Sequence, residues 1–258
     1  MHWCSHLPSS LYAVAFAVLA TQTIGSLAQA QCRQALALGL DVSGSVDARE
    51  YRLQLDGVAA ALNASTVQAA LLDTPGSHVS LLIYEWSGPA DQALILPWTP
   101  IMSVTDLEDI TEILQQTARR ATSPGTALGD AMILGARHLS MQPECWTHTL
   151  DISGDGKSNL GARPRDVKPV LLDDDITINA LVIGADAPQS GDNRQADIAG
   201  LSAYFHAEVV LGPDSFVETA LGFDEYAQAM QRKLERELQT LMMSEHDLDA
   251  GTQKRDLR

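Results

Sequence analysis

The sequence predicts an α/β fold: a three-layer, doubly wound arrangement on a mostly parallel six-stranded sheet with one antiparallel edge strand. Three observations carry that expectation. Apolar runs of strand length alternate with segments of helical periodicity, the pattern of a parallel sheet covered by helices on both faces. Two of the runs, 78–86 and 92–97, are separated only by Ser87-Gly88-Pro89-Ala90-Asp91, short enough for an antiparallel hairpin. The first run, Leu36 to Leu40, ends in Asp41-Val42-Ser43-Gly44-Ser45, which delivers a carboxylate and two hydroxyls at alternating positions where a parallel strand stops.

Taken in order, strands are expected near 35–42, 78–86, 92–97, 147–153, 176–183 and 207–211. A helix over 47–62 follows from the spacing of Tyr51, Leu55, Val58 and Leu62. A second spans 105–120, with Thr105-Asp106-Leu107-Glu108 as its capping box, and a third spans 126–139. Further helices are expected near 163–172, 194–203 and 223–242. The last sets Phe223, Tyr226, Met230, Leu234 and Leu238 along one side, a stripe that reads as core packing.

The chain has 258 residues, 45% of them hydrophobic, enough for one domain to bury a substantial core. Residues 1–30 contain no Lys, Arg, Asp or Glu, and the apolar run from Leu11 to Ala20 precedes Ala28-Gln29-Ala30, a small-x-small cleavage pattern. That segment reads as a secretory signal peptide cut after Ala30. Because its first ten positions lack a basic residue, an uncleaved anchor is the alternative. Residues 31–242 then form the domain and 243–258 a polar, disordered tail, and no other segment reaches the ~20 apolar residues of a spanning helix. After signal removal the chain is therefore expected to leave the membrane. The net charge of -16 makes nucleic acid and anionic membranes poor partners.

Cys32 and Cys145 are the two cysteines left after cleavage, an even count in a chain bound for an oxidising compartment. Cys32 precedes Asp41 by nine residues and Cys145 precedes Asp155 by ten. If those strands are parallel neighbours, the sulfurs meet at the bottom of the sheet. A lipid-anchored Cys32 is the weaker alternative, because Gln31 stands where a small residue belongs.

Three segments point to the carboxyl end of the sheet, where open α/β sheets bind ligands. They are Asp41-Val42-Ser43-Gly44-Ser45; the turn Ser123-Pro124-Gly125-Thr126, which opens a helix; and Ser153-Gly154-Asp155-Gly156, which ends a strand. Hard oxygen donors of this kind suit Mg²⁺, with Mn²⁺ or Ca²⁺ as alternatives. A capping role for Asp41 and the serines would explain the first segment but not Thr126 or Asp155. Asp151, inside the fourth strand, is left with two readings: it orients the site, or it bonds a neighbouring backbone group or His148.

This trio resembles the metal-ion-dependent adhesion site (MIDAS) of von Willebrand factor A (vWA) domains, and the resemblance covers about residues 33–242. The wording around Asp41 to Tyr51 and Asp151 to Gly156 resembles a secreted bacterial branch of that superfamily for which no activity is established. The resemblance implies the Rossmann-like vWA fold and a divalent cation. Ser43 and Ser45 would be direct ligands, Thr126 direct or through water, and Asp41 and Asp155 mainly through water. It implies a protein partner that offers a carboxylate to the open coordination position. It also implies that the last helix moves when the metal changes coordination.

Competing chemistries fit less well. Gly156-Lys157-Ser158 lacks the glycine that a phosphate-binding loop needs at position 151, and no Gly-x-Ser-x-Gly elbow surrounds Ser43 or Ser153. The histidines that survive cleavage, at 78, 138, 148, 206 and 246, include no metal-binding pair at close helical spacing. The expected function is thus a non-enzymatic binding module. Its alternatives are a metal-dependent hydrolase, which would need a general base near the open position, and a structural domain with partner contacts elsewhere.

Overall fold

In the sequence from Gln31 to Asp41, Leu36, Leu38 and Leu40 alternate with Ala35, Ala37 and Gly39, and all but the first residue are buried. This is β1 (Gln31–Asp41), a central strand buried on both faces, as parallel sheets require. The computed structural model describes residues 30–184 and 193–238. The expected tail and almost all of the expected signal lie outside them. After β1 come α1 (Ala48–Leu62), α2 (Ser65–Leu72), β2 (Ser77–Trp86), β3 (Gln92–Ile101), α3 (Val104–Gln116), α4 (Leu128–Leu139), β4 (Thr147–Gly154), α5 (Pro164–Leu171), β5 (Ile176–Ile183), α6 (Asn193–Glu208) and β6 (Val217–Ala220). A 3₁₀ turn at Phe223–Glu225 leads into a last helix, α7, over 226–238.

The sheet order is β3-β2-β1-β4-β5-β6, with every neighbouring pair parallel except the β2–β3 hairpin at one edge. The expected architecture is thus the observed one. The leucines of β1 face α1, α2, α3 and α7, while its small residues face α4, α5 and α6. Small residues on the second face let layers close: a Cβ on Gly39 would lie 2.6 Å from Tyr84 Oη. The expected stripe is core, with Phe223 of the 3₁₀ turn and Tyr226, Met230, Leu234 and Leu238 of α7 all buried. Cys32 and Cys145 form a disulfide at the start of β1 and just before β4, beside the Trp146 N–H to Cys32 carbonyl bond.

Several elements differ from the sequence expectation. The sixth strand is not 207–211. That apolar run is the buried exit of α6, and Leu211 makes only an antiparallel bridge to Ile178 before the chain turns through Gly212 and Asp214, both at positive φ. The strand that pairs with β5 is Val217–Ala220, whose only buried residue is Ala220. An apolar run of this length cannot be told from a helix end by periodicity, and a short edge strand carries little apolar signal. α3 is capped two residues earlier than expected, by Ser103 and Asp106 rather than Thr105 and Glu108. β3 runs on through Pro97 and Pro100, which an edge strand tolerates. α2 had no expectation at all, because only Val67 and Leu71 of its eight residues are buried.

Candidate functional site

β1 and β4 end side by side at the point where strand order reverses, since the chain leaves β1 for β2 on one side and returns to β4 on the other. Such switch points open the crevices in which α/β sheets hold ligands. Asp41 is fully buried there, and its Oδ1 accepts the Ser43 amide at 2.8 Å. Ser43 Oγ lies 3.2 Å from Ser45 Oγ, and Ser45 Oγ donates to Asp155 Oδ1 at 2.8 Å. Asp41 Oδ2 is buried without a protein hydrogen-bond partner. It faces Gly154 so closely that a Cβ there would lie 3.5 Å away. None of these oxygens caps α1, because Asp47 and Glu50 form that helix's capping box.

Thr126 is also buried, but it joins the others through the backbone. The Gly44 N–H donates to the Pro124 carbonyl at 3.2 Å, and a Cβ on Gly44 would sit 2.8 Å from Pro124 Cβ, so only glycine permits this approach. On its other side Thr126 is held by Asn159. The Thr126 amide donates to Asn159 Oδ1 at 2.9 Å, the Asn159 amide donates to the Thr126 carbonyl at 3.0 Å, and Asn159 Nδ2 lies 3.5 Å from Thr126 Oγ1. The loops carrying Asp41, Thr126 and Asp155 are therefore tied in a ring. Asn159 had no expected role; its sequence signal was only a polar residue four places after Asp155.

The electrostatics follow from burial. Asp41 is pushed up to about 7, first by desolvation and then by the nearby charge of Asp155, and burial raises Asp155 as well. Two acids and three hydroxyls form a set of hard oxygen donors. Among the described residues no group of three or more His, Cys, Asp or Glu is placed to hold a metal ion.

Asp151 does not meet His148; its partner comes from α7. Its Oδ2 lies 2.8 Å from Lys233 Nζ on α7, and Lys233 also donates to Glu237 Oε1 at 2.6 Å, with all three side chains buried. Glu237 accepts from Asn179 Nδ2 at 2.6 Å, and Asn179 Oδ1 accepts the Phe216 amide. His148 instead meets the Gln142 carbonyl. Burial raises Asp151 to about 7 against the pull of Lys233. For Lys233, burial acts downward and is outweighed by Asp151 and Glu237, so the ammonium is retained. Two turns earlier on α7, Tyr226 Oη pairs with Ser153 Oγ at 3.0 Å.

The six-stranded sheet in this order, with one antiparallel edge pair and helices on both faces, is a vWA-like α/β fold. The chain belongs to the family described as "Protein of unknown function (DUF1194)", whose model matches residues 31–242. Among solved structures it is similar to proximal thread matrix protein 1 from the mussel byssus, with a TM-score of 0.55 and 17% identity over 80% of this chain and 48% of that one. Another structure of that protein, with a zinc-occupied MIDAS motif, gives 0.54 and 17% over 80% and 48%. A von Willebrand factor type A protein from Catenulispora acidiphila gives 0.52 and 13% over 80% and 43%. The pilus adhesin SpaC from Lactobacillus rhamnosus GG gives 0.53 and 12% over 83% and 30%. At these identities the likeness is one of fold, and this chain spans less than half the length of each of these neighbours. Among curated proteins none matches this sequence.

Proposed function

We propose that this chain is a secreted or periplasmic binding protein in which Asp41, Ser43, Ser45, Thr126 and Asp155 hold a divalent cation that captures an acidic group of a protein partner. The observation that carries the reading is the run of oxygens from Ser43 through Ser45 to Asp155, spaced 3.2 and 2.8 Å, beside the unpartnered Asp41 Oδ2. These are hard oxygen donors, short hydroxyls with acids that would act mainly through water, and such a set suits Mg²⁺. Mn²⁺ and Ca²⁺ are the next candidates, and zinc in the byssus protein makes it a fourth metal to test. When bound, the cation supplies an electrophilic position for a carboxylate. The chain's own residues do the rest: the serines and Asp155 present oxygens on one side, and Asn159 and the Gly44–Pro124 contact hold Thr126 on the other.

Two observations favour capture and export. His78 and His148 lie near the starts of β2 and β4, and His138 and His206 in the last turns of α4 and α6, all at the end of the sheet opposite the site. That distribution supports binding over a hydrolysis that would use a histidine base. The Cys32–Cys145 bridge suits an oxidising compartment, which supports reading residues 1–30 as a signal cut after Ala30.

Calorimetric titration of Mg²⁺, Mn²⁺, Ca²⁺ and Zn²⁺ into the chain from residue 31 onward, with and without millimolar glutamate as a stand-in carboxylate, tests the proposal. Saturable one-site binding, lost in Asp41→Ala and Ser43→Ala variants of confirmed fold, is the expected result. Absence of binding under both conditions overturns it, and a metal-dependent hydrolytic rate abolished by Asp155→Ala would replace capture with catalysis.

A further inference from the structure

We infer that Arg119 is a positioning residue for the oxygen-bearing loop Asp41 to Val46, an inference that rests on the proposed cation site and concerns how that site is kept in shape. One nitrogen of its guanidinium, Nη2, donates to the Val46 carbonyl at 2.5 Å and lies 3.4 Å from the carbonyls of both Val42 and Ser43. Those three carbonyls belong to the turn that carries Ser43 and Ser45. Turned together with no cation between them, their dipoles would repel, and a delocalised charge able to face several acceptors at once offsets that repulsion.

The neighbours of Arg119 act on the same turn. Thr122 Oγ1 donates to the Val42 carbonyl at 3.0 Å, and the Gly44 amide donates to Pro124, so one segment holds three successive residues of the turn. Arg120 anchors that segment from below: its Nε reaches Oε1 of the buried Glu85 at 2.5 Å, while Tyr51 Oη donates to Oε2 at 3.0 Å. At its far end the segment becomes the Thr126 turn. Arg119 therefore couples the Asp41 and Thr126 loops, both of which carry oxygens of the proposed site. It makes no ion pair with a carboxylate among the described residues, so carbonyls are its partners.

The sign of the effect on cation binding separates positioning from simple charge. As a nearby positive charge alone, Arg119 would repel a divalent cation, and its removal would tighten binding. As a clamp, its removal weakens binding by about 10- to 100-fold, the usual range for groups that orient metal ligands. The test pairs Mg²⁺ titration of Arg119→Ala, Arg119→Gln and Arg119→Lys with amide hydrogen exchange over residues 41–46 in chelator. The expected result is weakened binding in Ala and Gln, partial recovery in Lys, and faster exchange confined to 41–46 at unchanged melting temperature. Unchanged exchange there, or Mg²⁺ affinity that is equal or tighter in Arg119→Ala, overturns the inference. Should the unmodified chain bind no cation while exchange still rises in the variant, the clamp stands and the cation site is what fails. Should Arg119→Ala not fold, the Gln and Lys variants carry the same two readouts.

Discussion

Asp41 combines full burial, one satisfied oxygen and one oxygen without a donor, and desolvation, followed by the nearby charge of Asp155, raises its affinity for a proton. Its pKa of about 7 in the folded chain stands above the ~3.9 of an unfolded aspartate. The folded state thus holds the proton more tightly. Stability from this group is full below pH ~3.9 and is lost as pH rises through about 7. In chelator, therefore, the melting temperature is expected to fall between pH 5 and pH 8 by more in the unmodified chain than in Asp41→Asn, and Mg²⁺ at pH 8 to restore it only in the former. Thermal scans across that range check this; equal pH slopes for the two proteins would show that Asp41 ionises without cost. The five oxygen-bearing residues were legible in the sequence because they sit on three short motifs at strand and helix ends. Asn159 and Arg119 were not, since each acts by meeting backbone groups of a segment far away in sequence, and a single polar residue in a loop carries no spacing to read.

α7 shows how an element's role exceeds its pattern. Its apolar stripe was readable at helical spacing, but Lys233 and Glu237 look like solvent-facing residues in the sequence and are instead buried against Asp151 of β4. Burial of three ionisable groups is sustainable only while each keeps its partner. Lys233→Ala is expected to cost about 3–5 kcal/mol by stranding two buried acids, whereas a combined Asp151→Leu, Lys233→Met, Glu237→Leu variant should recover most of that loss. Urea denaturation of both checks the pair, and a Lys233→Ala loss below about 1 kcal/mol would mean that water reaches the site. The same contacts, with the Ser153–Tyr226 bond, tie α7 to the strand that presents Asp155. The implied motion of the last helix would have to break them. Protease protection of residues 223–238 with and without cation and partner measures whether it does. The sixth strand illustrates the opposite case: Val209 to Leu211 had the apolar character, while Val217–Ala220 had the geometry.

At the scale of the molecule, the disulfide and the oxygen cluster occupy opposite ends of β1 and β4. The bridge closes a loop of 113 residues, so its removal in a Cys32→Ser, Cys145→Ser variant should lower stability by about 2–5 kcal/mol. Cation affinity should stay within about twofold, because two strands of sheet hydrogen bonds separate the two ends. Denaturation and metal titration of one sample measure both, and a parallel loss of affinity would show that the strands transmit strain. The sequence by itself determined the layer order, the hairpin edge, the α7 stripe and the positions of the oxygen donors, since these follow from periodicity, turn residues and motifs at element ends. Only the tertiary structure decided which strand completes the sheet, that Asp151 pairs with Lys233, and that Arg119 and Asn159 tie the loops together. Those contacts join residues far apart in the chain, and their energies exist only once the groups are brought out of water into each other's reach.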